Sequence, residues 1–103
     1  MKIIKIQIPQ EIVNNIQLKD FEVASMQAVI ANILETHAFD KDARVVKSPV
    51  FIGYQDKLVQ IKKEFEDAKD NMLITFIDKD TRTKVMNWSL DYSSYTLTLQ
   101  VKE

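Results

Sequence analysis

The chain has 103 residues, of which 14 are basic and 15 acidic, so its formal net charge at pH 7 is −1. This length predicts a single domain spanning residues 1–103. A nearly neutral chain has no broad positive field to attract nucleic acid or an anionic membrane, and no stretch approaches the roughly 20 apolar residues of a membrane helix. Cysteine is absent, which excludes disulfides and thiolate metal sites and favours a cytoplasmic location.

Glycine and proline are scarce, with one and two residues, beside abundant Ile, Lys, Asn and Asp. This usage is typical of AT-rich genomes. Hydrophobic residues make up 46% of the chain and charged residues 28%, which favours a folded protein over a disordered one. The composition fits a phage or mobile-element product, which would act in the host cytoplasm or in the virion.

The first half of the chain reads as a strand followed by a long helix. Ile4, Ile6 and Ile8 alternate with polar residues and predict a strand that ends before a helical turn over Pro9–Ile16. A long helix is predicted from Asp20, as its N-cap, to about His37. Its apolar residues recur at helical spacing, at Val23, Met26, Ile30, Ile33 and Leu34.

The opposite side of this helix carries a second uncharged stripe. The stripe consists of Phe21, Ala24, Ala28 and Ala31, and no charge interrupts the segment between Glu22 and Glu35. A helix with two apolar sides is expected to be covered on both.

The second long helix is predicted to follow a polar connection over Phe39–Lys47, with Ser48 as N-cap and Pro49 as first residue. Gly53 costs it about 1 kcal/mol relative to alanine. Its apolar residues follow the 3-4 spacing of a coiled-coil seam, at Phe51, Tyr54, Leu58, Ile61, Phe65, Ala68 and Met72. Two such helices joined by a short connection predict an antiparallel αα-hairpin.

In the last third of the chain, apolar and polar residues alternate, as they do in a half-buried strand. Three strands are predicted, over Leu73–Ile77, Lys84–Tyr92 and Tyr95–Val101, with turns at Asp78–Thr81 and Ser93–Ser94. A two-residue second turn pairs Leu90 with Leu97, Trp88 with Leu99, and Met86 with Val101. The predicted fold class is α+β, in the order β-α-α-β-β-β. The hairpin packs on one face of a three- to four-stranded antiparallel sheet, and the first strand joins at an edge.

No constellation of side chains predicts catalysis or cofactor binding. His37 is the sole histidine, and its pattern with Asp40 and Asp42 lacks the ligand count of a calcium loop. The serines have only His37 as a base, and one glycine cannot build a phosphate-binding loop. The carboxylates of the second helix alternate with lysines and read as a solvated face. The sequence therefore predicts no enzyme, no cofactor and no metal.

Aromatic residues gather around the last predicted hairpin. Trp88 lies on the same face of its predicted strand as Met86 and Leu90, which favours a place in the core. Tyr92 and Tyr95 lie at the turn. A protein interface and nucleotide-base stacking are the other two interpretations of this cluster. Nucleic acid is the least favoured of the three because the chain lacks a basic surface.

Surplus apolar surface on the helices and open sheet edges favour protein–protein assembly. The expected function is a small non-enzymatic structural or accessory protein, a homo-oligomer or a component of a larger complex. The candidate interface residues are Phe51, Tyr54, Leu58, Ile61, Phe65, Tyr92 and Tyr95. The alternative is a protein that sequesters a small ligand or inhibits a host enzyme, with a pocket at a subunit junction near Tyr54, Trp88 and Tyr92.

Overall fold

The computed structural model describes residues 1–37 and 47–103. In chain order the elements are β1 (Lys2–Gln7), α1 (Gln10–Thr36), α2 (Pro49–Phe76), α3 (Lys79–Arg82), β2 (Val85–Asp91) and β3 (Thr96–Val101). The predicted α+β class is confirmed, with a helical hairpin and a three-stranded antiparallel sheet. The predicted polar connection lies outside the described residues, except for Lys47.

The chain divides into two compact units. One unit consists of Met1–Gln17 and Asp67–Glu103, and contains the sheet with the adjoining ends of both long helices. The other unit is Leu18–Glu66, which contains the rest of the helical hairpin. That these units form a single domain remains a prediction.

Strand β3 lies at the centre of the sheet, in the order β1-β3-β2, and both neighbours pair with it antiparallel. The predicted edge position of the first strand is therefore confirmed. Leu97 and Leu99 of β3 are buried and lie opposite Ile6 and Ile4 of β1. The alternation of isoleucines in β1 thus serves to put one face of that strand against the core.

The predicted register of the last hairpin is correct for two of its three pairs. Leu90 lies opposite Leu97 and Trp88 opposite Leu99, but a β-bulge between Val85 and Asn87 places Val85 opposite Val101. Met86 is therefore exposed, at 63%, instead of facing the core. The bulge inserts one extra residue, and a period-two pattern cannot anticipate such an insertion.

The core of the sheet unit combines residues from the strands and from the adjoining helix ends. Its buried hydrophobic residues are Ile8, Val13, Ile16, Met72, Ile77, Leu97, Leu99 and Val101. Because a sheet with one apolar face must cover it with another layer, the helix ends of this unit supply that layer.

Helix α1 begins ten residues earlier than the sequence pattern predicts. The backbone N–H groups of Ile12 and Val13 donate to the carbonyl of Pro9, at 3.1 and 3.2 Å, so the helix starts directly after this proline. Asp20 consequently lies in the helix interior and is not an N-cap. The short turn predicted after Pro9 continues without a break because no glycine or proline interrupts residues 10–36.

Helix α2 begins as predicted. The side-chain oxygen of Ser48 accepts a hydrogen bond from the backbone N–H of Phe51 at 3.1 Å, and Pro49 is the first helical residue. The strand predicted over Leu73–Ile77 is wrong, because Leu73–Phe76 is the end of α2 and the N–H of Ile77 donates to the carbonyl of Leu73. A short apolar run fits either a strand or a buried helix segment. Here it continues a helix that has already formed, and adding residues to a helix avoids the free-energy cost of starting a new one.

The turn predicted at Asp78–Thr81 contains the one-turn helix α3. The carboxylate of Asp78 accepts from the hydroxyl of Thr81 at 2.6 Å and from its backbone N–H at 3.1 Å. These two hydrogen bonds, the hydroxyl first, hold the pKa of Asp78 below its ordinary value. Asp78 is thus the N-cap that separates α3 from the end of α2.

In the hairpin unit the two helices run antiparallel. The ammonium of Lys19 in α1 lies 3.8 Å from a carboxylate oxygen of Glu64 in α2. This pair is solvated and contributes at most about 1 kcal/mol. The buried hydrophobic residues of this unit are Val23, Phe51 and Ile61.

Replacing Gly53 with alanine is expected to stabilise the chain by about 1 kcal/mol. Gly53 lies inside α2, and a Cβ built there meets nothing within 4 Å, so the gain in helix propensity has no steric cost. Urea unfolding at a fixed protein concentration measures the difference. Gly53→Ser is the matched variant and should gain less; a loss of stability in Gly53→Ala would contradict the open space above Gly53.

The contribution of Asp78 to stability is expected to depend on pH. A carboxyl group whose pKa falls on folding stabilises the fold above its unfolded value of 3.8, and this stabilisation is lost as the pH drops below it. Asn caps helices as well as Asp, so Asp78→Asn removes the charge and leaves the cap. Urea midpoints of wild type and Asp78→Asn should differ at pH 7 and converge as the pH falls below 3.8. Asp80→Asn, in the same turn, is the control for the loss of one negative charge.

Candidate interaction surfaces

The helical seam predicted as an interface is largely taken up within the chain. Phe51 and Ile61 are 2% and 8% exposed, so a partner cannot reach them without opening the hairpin. Tyr54, Leu58 and Phe65 are half-buried. Residues at heptad spacing can pack against the neighbouring helix of their own hairpin, and for Phe51 and Ile61 this leaves little surface for a partner. That the seam forms an interface remains a prediction.

The two predicted tyrosines of the last hairpin lie in a structured loop and are half-buried. A side-chain oxygen of Asp91 accepts from the backbone N–H groups of Ser93 and Ser94 at 2.8 and 3.2 Å. These hydrogen bonds, that of Ser93 first, keep the pKa of Asp91 below its ordinary value. Tyr95 has a φ of 56°, a left-handed conformation that costs a non-glycine residue about 1–2 kcal/mol. Its carbonyl accepts from the N–H of Ile8 at 2.8 Å, which ties the loop to the end of β1.

The outer side of α1 carries an exposed stripe of small and apolar residues. Phe21 is 69% exposed, and the alanines of its stripe, Ala24, Ala28 and Ala31, are exposed as well. Large exposed residues flank the stripe at Leu18 and Val29. This is the uncharged stripe that the sequence predicts to be covered, and the described part of the chain does not cover it.

The exposed apolar residues of α2 are interrupted by charges. Ile52 and Val59 are seven residues apart on one side of the helix, and exposed Asp56 and Lys63 lie on the same side. Single exposed apolar residues are ordinary on protein surfaces, whereas contiguous patches mark interaction sites. The α1 stripe is therefore a better interaction candidate than this side of α2.

A groove of about 450 Å³ lies in the hairpin unit beside Gly53. Its lining residues are Glu22, Gly53, Asp56, Lys57, Gln60, Ile61 and Glu64. Glu64 is occupied by the ion pair with Lys19 and accepts from the side-chain amide of Gln60 at 3.4 Å. The remaining carboxylates of this groove have the character of a solvated helix surface.

A smaller cavity of about 210 Å³ in the sheet unit is lined by Leu73, Ile77, Arg82 and Val85. The Nε atom of Arg82 is buried, and it has no hydrogen-bond partner in the described parts of the chain. An unsatisfied buried donor of this kind costs about 1–3 kcal/mol. Neither this cavity nor the groove beside Gly53 includes Tyr54, Trp88 or Tyr92, which the sequence suggested as pocket residues.

No group of three or more potential metal-binding side chains comes together within residues 1–37 and 47–103. His37 is exposed at the end of α1, and the aspartates of its predicted pattern, Asp40 and Asp42, lie outside the described residues. Among the described helices, none is long and apolar enough to cross a membrane.

Comparisons with protein-family models, with curated proteins and with solved structures found no match to this chain. The candidate surfaces above therefore depend on the geometry of this chain alone.

Arg82 is the feature that the sequence analysis missed, because arginine in a charged turn carries no signal of burial. Replacing Arg82 with methionine keeps an apolar stem and removes the unsatisfied donor and the half-buried charge. Stability should stay equal or rise by about 1 kcal/mol, as measured by urea unfolding. Lys84→Met, at an exposed site of the same turn region, is the control and should change stability by less than about 0.5 kcal/mol. If Arg82→Met lost stability and Lys84→Met did not, Arg82 would have to be paired with a counter-ion in solution.

Proposed function

We propose that this chain is a small non-enzymatic structural or accessory protein that acts through protein–protein assembly, as a homo-oligomer or as a component of a larger complex. The cytoplasm is the proposed site of action, supported by the absence of cysteine. The composition supports an origin in a phage or other mobile element, in which case the host cytoplasm or the virion is the site.

One observation carries this proposal: among the residues of the hairpin unit that the structure describes, 18–37 and 47–66, exposed large apolar residues outnumber buried ones. Val23, Phe51 and Ile61 are buried, whereas Leu18, Phe21, Val29, Leu34, Val50, Ile52 and Val59 are exposed. Each large apolar side chain gains roughly 1.5–3 kcal/mol when it leaves water completely. A partner that covers even part of this surface therefore supplies a favourable free energy that the hairpin does not obtain from its own residues.

The candidate sites also favour assembly over chemistry. The polar groups of the groove beside Gly53 are exposed carboxylates, a lysine and an amide, and the amide of Gln60 donates to Glu64. An acid or base catalyst needs burial or a specific charged neighbour to bring its pKa near the working pH. Within the described parts of the chain, the carboxyl groups with lowered pKa values are Asp78 and Asp91, and both cap local turns, which explains their shifts.

Ligand binding is the second candidate function, and the cavity at Arg82 is the observation that favours it. An unsatisfied guanidinium donor beside three aliphatic side chains suits a small carboxylate with an apolar body. The Nε atom is buried, so such a ligand could reach it only if some of the protein atoms around it moved. This requirement makes ligand binding second to assembly.

Sedimentation velocity over about a hundredfold range of concentration tests self-assembly. The purified chain is expected to sediment above its monomer mass of 12.0 kDa, with a share of larger species that rises with concentration. A single 12.0 kDa species at every concentration would contradict the homo-oligomer. In that case, the native mass of the protein in an extract of its source would decide whether it belongs to a larger complex.

A further inference from the structure

We infer that the uncharged stripe of α1 is a homodimer interface, in which two copies of the chain pair their α1 helices antiparallel about a twofold axis. The stripe consists of Phe21, Ala24, Ala28 and Ala31, and all four residues are exposed. This inference rests on the assembly role proposed above and names its partner and its surface.

The spacing of the stripe is that of a coiled-coil seam. Its residues follow one another at intervals of three, four and three, so Phe21 and Ala28 hold one heptad position and Ala24 and Ala31 the other. The inner seam of α1, which includes buried Val23, lies on the other side of the helix. α1 therefore has one seam for its own hairpin and a second for a partner helix.

The sizes of the residues make the stripe complementary to itself in the antiparallel direction only. When two copies of α1 run antiparallel and centre on residue 26, Phe21 of each copy faces Ala31 of the other, and Ala24 faces Ala28. Each large side chain then meets a small one, as close-packed interfaces require. Parallel pairing would instead place Phe21 against Phe21 and leave facing alanines apart.

The charges of the helix permit this arrangement. Residues 23–34 carry no charge, and the acidic residues on either side of Phe21, Asp20 and Glu22, face Asn32 and Ile30 of the other copy. No acidic residue therefore faces another across the axis. A twofold interface uses the same surface on both copies and leaves no open end, so the assembly closes as a dimer. If the partner had a different sequence, nothing would require Phe21 and Ala31 of this chain to complement each other in size. Their complementarity therefore favours a second copy of the chain as the partner.

The area sets the expected strength of the dimer. The stripe from Phe21 to Ala31 is about 15 Å long, and an aromatic side chain contributes about 150–250 Å² when it is fully buried. Two copies of Phe21 contribute about 300–500 Å², so with the flanking Leu18 and Val29, which are 56% and 42% exposed, the interface stays below the roughly 1,200 Å² of stable specific complexes. We therefore expect a dissociation constant in the micromolar range and not a permanent dimer.

Three variants separate this interface from general hydrophobic adhesion. Phe21→Glu removes the largest contact, and Ala28→Phe adds apolar surface but prevents close approach of the helices. Val59→Glu is the matched control, because Val59 is as exposed as Phe21, at 69%, and lies on α2. All three positions are exposed, and unchanged circular dichroism spectra show that the fold is retained.

Sedimentation equilibrium should give a monomer–dimer equilibrium for the wild type. Phe21→Glu and Ala28→Phe should each raise the dissociation constant at least about tenfold, while Val59→Glu should change it by less than about threefold. A wild-type dimer that Phe21→Glu leaves intact would overturn this interface and leave the assembly role standing. Tighter association of Ala28→Phe would show adhesion without the antiparallel fit, and a monomeric wild type would overturn self-assembly altogether.

Disulfide crosslinking tests the direction of pairing, since the chain has no cysteine of its own. Ala24→Cys protein mixed with Ala28→Cys protein should crosslink readily, because these positions face each other in the antiparallel dimer. Ala31→Cys alone should not crosslink, because its two copies would lie about 15 Å apart, well beyond the roughly 7 Å limit for Cα atoms in a disulfide. Efficient crosslinking of Ala31→Cys with itself would show parallel pairing and overturn the antiparallel arrangement.

Discussion

A hairpin of two helices can bury only one side of each helix, and this constraint governs the hairpin unit. α1 has apolar residues on two sides, of which the seam with Val23 is turned inward and the stripe with Phe21 is left outside. In the sheet unit, the strands supply a second layer, and residues such as Leu97 and Leu99 are fully buried. Since the described residues of the hairpin unit, 18–37 and 47–66, form no second layer, their surplus apolar surface follows from the architecture.

The sequence predicts the fold best where local chemistry and periodicity agree. Ser48 caps α2 as its position before Pro49 predicts, and the pairing of Trp88 with Leu99 follows from alternation. The errors arise where the pattern has two solutions. The run Leu73–Ile77 is short enough to read as a strand, and only its connection to a helix already formed makes it helical. Asp20 has the chemistry of an N-cap, but aspartate also occurs inside helices when the residues before it are helical.

The sequence is less informative about the interaction surface, because apolar periodicity does not say which seam the chain uses for itself. Phe51 and Ile61 form the more regular pattern, and for that reason they are buried within the chain. The stripe at Phe21 is weaker in hydrophobicity because three of its four residues are alanines, yet it is the one left exposed. The regularity of a seam therefore does not identify the surface that remains exposed to a partner. The exposed surface is found by asking which seam remains after the better one is used.

The outer surfaces of α1 and α2 differ in the charges that surround their exposed apolar residues, and this difference decides which helix is the better candidate interface. Both helices expose an apolar residue to the same extent, Phe21 on α1 and Val59 on α2. Beside Val59 lie Asp56 and Lys63, whose burial under a partner would cost more than the valine returns unless the partner supplied matching charges. Asp20 and Glu22 lie on either side of Phe21, but from Ala24 to Ala31 the stripe consists of alanines with no charge between them. Alanines lose little hydration and almost no side-chain entropy on contact. A partner helix can therefore approach α1 closely at low cost, and for α2 the neighbouring charges oppose the same approach. The arrangement of charges, more than the number of exposed apolar residues, is therefore the reason for proposing α1 and not α2 as the interface.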